Sequence, residues 1–101
     1  MIRLKPEEQQ QAAFFEYLAW KGNADPIYKL PYAIPNARKC SWVTGKIFKD
    51  TGVKPGVPDV HIPIARGHWY GAYFEFKIKP NKLTPEQDSY MKSLREEHYY
   101  C

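Results

Sequence analysis

Asp59, Glu75 and Lys77 are the residues whose types and spacing point most directly to chemistry. Residues two apart on a strand share a face, so Glu75 and Lys77 of Glu75-Phe76-Lys77 project side by side. Asp59 opens the preceding alternating run, Asp59-Val60-His61-Ile62-Pro63-Ile64. A turn that sets Ala65 against Gly71 places Asp59 opposite Lys77 and diagonal to Glu75. Diagonal cross-strand partners lie about 7–8 Å apart at Cα, close enough for two carboxylates to grip one cation. Converging acids repel unless a cation neutralises them, and hard oxygen ligands suit Mg²⁺ or Mn²⁺. An ammonium at Lys77 would orient or help deprotonate a water and stabilise charge on a pentacovalent phosphate. The three side chains make a kit for metal-assisted phosphodiester hydrolysis. Spacing alone favours a plainer alternative, with Glu75 and Lys77 solvated and Asp59 capping a turn after Pro58.

Those strands need elements to hold them. Residues 6 to about 21 read as a helix, with Pro6 at its first position, Glu7 and Glu8 against the positive end of the dipole, and Gly22 as a stop. Phe14, Phe15, Leu18 and Ala19 form its inward stripe. Traced backward, the stripe reaches Gln11 and Glu7 on one edge, Ala12 and Glu8 on the other. A carboxylate therefore lies above the apolar face near the helix start. Pro26, Pro31 and Pro35 break residues 24–36, leaving a short strand near Tyr32–Ile34 and a polar loop through Asn36, Arg38 and Lys39. Ser41 to Lys49 fits a short helix, with Ser41 as cap and Gly52 after its end.

Alternation is clear from Val57 onward. Val60, Ile62 and Ile64 face one way, residues 66–71 supply a turn, and Ala72, Phe74, Phe76 and Ile78 face one way again. Pro63 cannot donate to a ladder, which places it at an edge or strand end. A basic turn, Lys79-Pro80-Asn81-Lys82-Leu83, follows. Thr84-Pro85-Glu86-Gln87 then opens a helix to about residue 97, with a Thr cap, Pro at the first position and Gln three residues after the cap. Gln87, Tyr90 or Met91, and Leu94 line one face of it. His98-Tyr99-Tyr100-Cys101 stands where another strand could begin.

Composition bounds the possibilities. The 101 residues fit one compact domain, and 16% aromatic content helps so small a core. No apolar run approaches the roughly 18 residues of a membrane span, and the N-terminus lacks a signal-peptide apolar region. A soluble, cytoplasmic protein is expected. Cys40 and Cys101 sit in no zinc-like spacing and are expected as reduced thiols. The net charge of +4 permits a polyanionic partner without demanding one.

Gly56-Val57-Pro58-Asp59-Val60, Phe74-Glu75-Phe76-Lys77 and Leu83-Thr84-Pro85-Glu86-Gln87 together resemble the VRR-NUC (virus-type replication-repair nuclease) family of the PD-(D/E)XK superfamily. Glu7-x-x-x-Gln11, Ile34-Pro35-Asn36, Thr44-Gly45 and Gly52-Val53-Lys54 extend the likeness from about residue 7 to 100. Each piece is weak; the ordered set is specific. The resemblance implies an α/β fold of restriction-endonuclease type, with an αβββα core, a mixed sheet flanked by helices, and a last strand that is short or missing. It also implies an Mg²⁺- or Mn²⁺-dependent DNA endonuclease, of the compact stand-alone phage or bacterial type associated with branched DNA such as four-way junctions. No membrane and no nucleotide cofactor are expected as partners.

By the same resemblance, Asp59 and Glu75 are metal ligands, the Phe76 main-chain carbonyl completes the protein's share, and Lys77 is the catalytic lysine. Glu7 resembles the helix acid that approaches the same ion. Periodicity does not separate it from Glu8, and only the four-residue spacing to Gln11 selects it. Gln87 resembles a glutamine that reaches a water or phosphate near the lysine; a capping-box side chain is an equal reading. Asn36, Arg38, Lys39, Lys46, Lys54, Arg66, Lys79 and Lys82, mainly in loops, are the candidate phosphate contacts. Two strands to cut with one site per chain argue for a homodimer.

Two features depart from the family. Ala37 follows Asn36 where a glycine is usual, and the family continues past the last helix while this sequence stops at Cys101. His61 projects on the Asp59 face, where a surface histidine is the plain reading. Trp69 and Tyr70, near the hairpin tip, suit base stacking, a subunit contact or simple cover for the core.

Overall fold

The computed structural model describes residues 3–35 and 42–101. Asn36, Arg38, Lys39, Cys40 and the Ser41 cap therefore lie outside the described residues. The chain runs α1 (Pro6–Gly22), a 3₁₀ turn (Pro26–Lys29), β1 (Tyr32–Ala33), α2 (Trp42–Asp50), β2 (Val60–Ile62), β3 (Gly71–Phe74), α3 (Pro85–Glu96) and β4 (Tyr99–Tyr100). The four strands form one sheet in the order β1-β2-β3-β4, with the first two pairings antiparallel and β3–β4 parallel. This is the mixed α/β arrangement expected, and its last strand is short.

Local signals explain both long helices. Pro6 starts α1, where its missing N–H costs nothing, and Glu7 and Glu8 occupy the first turn. Gly22 is the last residue of α1, with Asn23 as its cap. A Cβ at Gly22 would stand 3.0 Å from the Lys29 side chain, so the glycine lets the 3₁₀ turn fold back tightly. That turn is itself capped by Asp25, whose Oδ1 accepts the Ile27 N–H at 3.1 Å. At α3, Thr84 Oγ1 accepts the Gln87 N–H (3.2 Å) and Gln87 Oε1 accepts the Thr84 N–H (2.9 Å), a complete capping box.

The helices cover opposite faces of the sheet. Val60, wholly buried, pairs with Phe74, and the Phe14 ring of α1 meets Phe74 at 5.7 Å and Phe76 at 5.9 Å. Tyr73 points the other way, where burial and then the nearby phenols of Tyr99, Tyr32 and Tyr90 of α3 raise its pKa. His61 stacks on Tyr73 with ring centroids 4.4 Å apart and shares a 2.8 Å contact between Nδ1 and the Tyr32 hydroxyl. Leu18, Val60 and Met91, with Pro31 and Pro58, are the buried apolar side chains among the described residues.

The hairpin register differs from the expectation. Ile62 pairs with Ala72 and Val60 with Phe74, not Ala65 with Gly71. The turn is also tighter, at Gly67 (φ +55°) and His68, closed by reciprocal Arg66–Trp69 hydrogen bonds of 3.1 and 2.9 Å. Between that bridge and the Ile62–Ala72 pair lie three residues (63–65) on one side and two (70–71) on the other. Pro63 supplies no N–H, and the Ile64 N–H turns back to Ile62 O at 2.9 Å, so the extra residue bulges there. Continuing the observed count one step sets Asp59 across from Glu75 rather than Lys77. A slip of two residues keeps every side chain on its face.

Candidate active site

Asp59 is clamped by its neighbours. Pro58 and Val60 on either side are fully buried, and alternation turns the carboxylate between them outward. The Asp59 carbonyl accepts the Ile34 N–H at 2.8 Å, continuing the pairing with β1. Its Oδ2 accepts the Phe76 N–H at 3.0 Å, in place of a further main-chain rung. That substitution explains why β3 ends at Phe74 although the alternation runs to Ile78.

Glu75 and Lys77 occupy the stretch that follows. Phe74 and Phe76 both meet Phe14, so Glu75 between them projects from the opposite face, the side that Asp59 shares by alternation. Glu75 is half-buried, with Oε1 fully enclosed, and Lys77 is half-buried. Carried past the ends of β2 and β3, alternation sets the two acids on one side of the ribbon, as the chemical reading expects.

Beside Asp59 opens a cleft of about 470 Å³ between the start of α1 and the turn after Lys77. Glu7, Glu8, Gln11, Asp59, Ile78 and Asn81 line it. Glu7 is half-buried and accepts a 3.3 Å hydrogen bond at Oε1 from Asn81 Nδ2, whereas Glu8 is exposed. Sequence reasoning placed Asn81 only in a basic turn. Its partner lies 74 residues away, which no local pattern signals.

The expected ligands are brought together unequally. Glu7 and Asp59 share the cleft, Glu75 does not line it, and among the described residues no three His, Cys, Asp or Glu side chains gather closely enough to hold a metal as a group. The donors nevertheless fit Mg²⁺ or Mn²⁺. Mg²⁺ commonly takes one or two carboxylates and completes its shell with water and substrate phosphate, without an all-protein cage. Glu7 and Asp59 in an open cleft supply that.

Gln87 is almost wholly buried, and its Oε1 serves the α3 cap. A Cβ at Gly56 (φ +82°) would lie 3.0 Å from Glu86, so the loop that delivers Asp59 rests on the start of α3. The candidate phosphate contacts are scattered. Lys79 and Lys82 are exposed and flank Asn81, and Lys54 is exposed after α2. Lys46 pairs with Asp50 on α2 at 2.9 Å. Arg66 lies at the far end of the β2–β3 hairpin from Asp59, where its Nη1 donates to Ala65 O. His61 belongs to the aromatic row, where burial lowers its pKa.

A solved structure described as a VRR_NUC domain protein superposes with a TM-score of 0.72 at 26% identity, covering 98% of this chain and 76% of that one. The chain has the VRR-NUC fold. No family model matches the sequence, and no curated protein matches it. The VRR-NUC likeness therefore lives in the order of elements and in a few spaced residues more than in overall identity. No helix among the described residues of this VRR-NUC fold is long and apolar enough to cross a membrane.

Proposed function

We propose that this chain is a divalent-metal-dependent DNA endonuclease that acts on branched DNA such as four-way junctions, as a homodimer. The observation that carries the reading is the cleft that Asp59 shares with Glu7 at the start of α1. Its likeness to a VRR_NUC domain protein supports the nuclease class. The +4 charge suits a polyanionic substrate, and one site per chain against two strands favours paired protomers.

Asp59 with Glu7 across the cleft would hold Mg²⁺ or Mn²⁺, with Glu75 and the Phe76 carbonyl as the further donors that the family resemblance implies. When bound, such an ion supplies Lewis-acid polarisation of the scissile phosphate. Lys77 Nζ orients the attacking water and sets positive charge against the charge that develops on phosphorus-bound oxygens. The water oxygen bonds to phosphorus, one ester P–O bond breaks, and the departing sugar oxygen takes up a proton. Gln87 closes the α3 capping box with Thr84 and would turn its amide NH₂ toward the same phosphate. Arg38, Lys39, Lys54, Lys79 and Lys82 would provide charge along the DNA backbone, and Asn36 a neutral hydrogen-bonding amide. Lys46, paired with Asp50, and Arg66, at the far end of the hairpin, are the weakest of the expected contacts.

One observation favours a second reading, a nucleic-acid-binding module without catalysis: no three metal-binding side chains stand gathered among the described residues. A synthetic four-way junction with Mn²⁺ or Mg²⁺ separates the two. The nuclease reading expects cutting that Asp59→Ala and Lys77→Ala abolish, while the binding reading expects affinity that survives Asp59→Ala and no cutting by any form. Full activity retained by both variants dismisses the assignment of these residues.

A further inference from the structure

We infer that Asn81 is a positioning residue that aims the Glu7 carboxylate into the cleft and so decides between the two acids at the start of α1. The inference rests on the metal-dependent reading above. Glu7 and Glu8 are adjacent in sequence, both lie in the first turn, and both line the cleft. They differ in what fixes them. Asn81 Nδ2 donates to Glu7 Oε1 at 3.3 Å, and Glu7 is half-buried while Glu8 is exposed.

Asn81 is itself held. Its N–H donates to Ile78 O at 2.8 Å, closing the turn that begins just after Lys77. Its side chain thus starts from a backbone tied to the stretch carrying Glu75 and Lys77, and reaches across to α1. A glutamate on an open helix end otherwise samples several rotamers, and ordering it at the moment of binding costs entropy. A single donor on Oε1 restricts the side chain and leaves the lone pairs of Oε2 for a cation. Outer partners of this kind fix the orientation of a ligand.

The test is a double-mutant cycle read by calorimetric titration of Mn²⁺ into the whole chain, together with cleavage of a four-way junction against Mn²⁺ concentration. Asn81→Ala is expected to weaken Mn²⁺ binding about 10-fold, the low end for loss of an outer partner because this pair is solvent-exposed. In the Glu7→Ala background the same substitution should change affinity little, since its effect passes through Glu7. Glu8→Ala should weaken binding less than Glu7→Ala. An unchanged Mn²⁺ affinity in Asn81→Ala, or an equal loss with and without Glu7, overturns the positioning role while Asp59→Ala still reports on the nuclease reading. Absence of Mn²⁺ binding by the unaltered chain overturns both. Thermal unfolding in chelator, expected to be similar for the unaltered chain and the Asn81, Glu7 and Glu8 variants, separates these outcomes from a folding defect.

Discussion

Asp59 Oδ2 accepts the Phe76 main-chain N–H at 3.0 Å, so the acid proposed for catalysis also terminates the β2–β3 ladder. The two duties are separable by substitution. Asp59→Ala leaves a half-buried N–H without its acceptor, at a cost of about 1–2 kcal/mol. For a domain of this size each kcal/mol lowers Tm by roughly 4–8 °C. Asp59→Asn keeps an acceptor oxygen and removes the charge. The expected pattern is therefore lost cleavage in both variants but a lowered Tm mainly in Asp59→Ala. Equal melting losses would show that the Asn amide does not replace the carboxylate at this bond.

Gly56 sits two residues before Pro58 with φ +82°, and an added Cβ would lie 3.0 Å from the backbone and Cβ of Glu86. The left-handed backbone alone costs a non-glycine residue about 1–2 kcal/mol. The close approach adds to that, because backbone atoms at the start of α3 cannot swing aside. Gly56→Ala is expected to lower the urea midpoint, whereas Gly52→Ala meets open space and suffers only the backbone penalty (φ +92°). A Gly56→Ala loss no larger than that at Gly52 would remove the Glu86 contact from the account.

Both long helices were legible in the sequence because their signals are local. Pro6 with two first-turn acids, and Thr84-Pro85-Glu86-Gln87, carry their own hydrogen-bonding logic within one turn. Sheet register was not legible, since it depends on a bulge after Pro63 and on an Asp59 side chain replacing a main-chain partner. The expected faces do not depend on that error, because a two-residue slip preserves the face. The 3₁₀ turn at Pro26–Lys29 was hidden by prolines that read as breaks, with Asp25 as the missed cap. Asn81 was illegible for a plainer reason: its partner belongs to the opposite end of the chain.

His61 links pH to stability. Burial lowers its pKa from the ordinary value of 6.5, and the groups that face it are the rings of Tyr32, Tyr73 and Tyr99. No carboxylate stands among these contacts to favour the imidazolium. The folded chain thus binds a proton at His61 less readily than the unfolded chain does. Its contribution is fully present above the unfolded pKa and is lost as pH falls through that value toward the folded one. Urea midpoints should drop between pH 7.5 and 5.5, and His61→Phe should flatten that drop. An unaltered pH slope in the variant would assign the dependence to other groups.

Gln87 carries two proposed roles that Thr84 can divide. Each residue's side chain serves the other's main-chain N–H, so Thr84→Ala and Gln87→Ala both open the capping box. Loss of such a cap costs about 1 kcal/mol. Thr84→Ala, however, leaves the Gln87 amide in place, and Gln87→Ala removes it. If the amide also meets a water or phosphate beside Lys77, Gln87→Ala should reduce junction cleavage well beyond Thr84→Ala at matched stability. Parallel losses of Tm and of cleavage in the two variants would confine Gln87 to holding the start of α3.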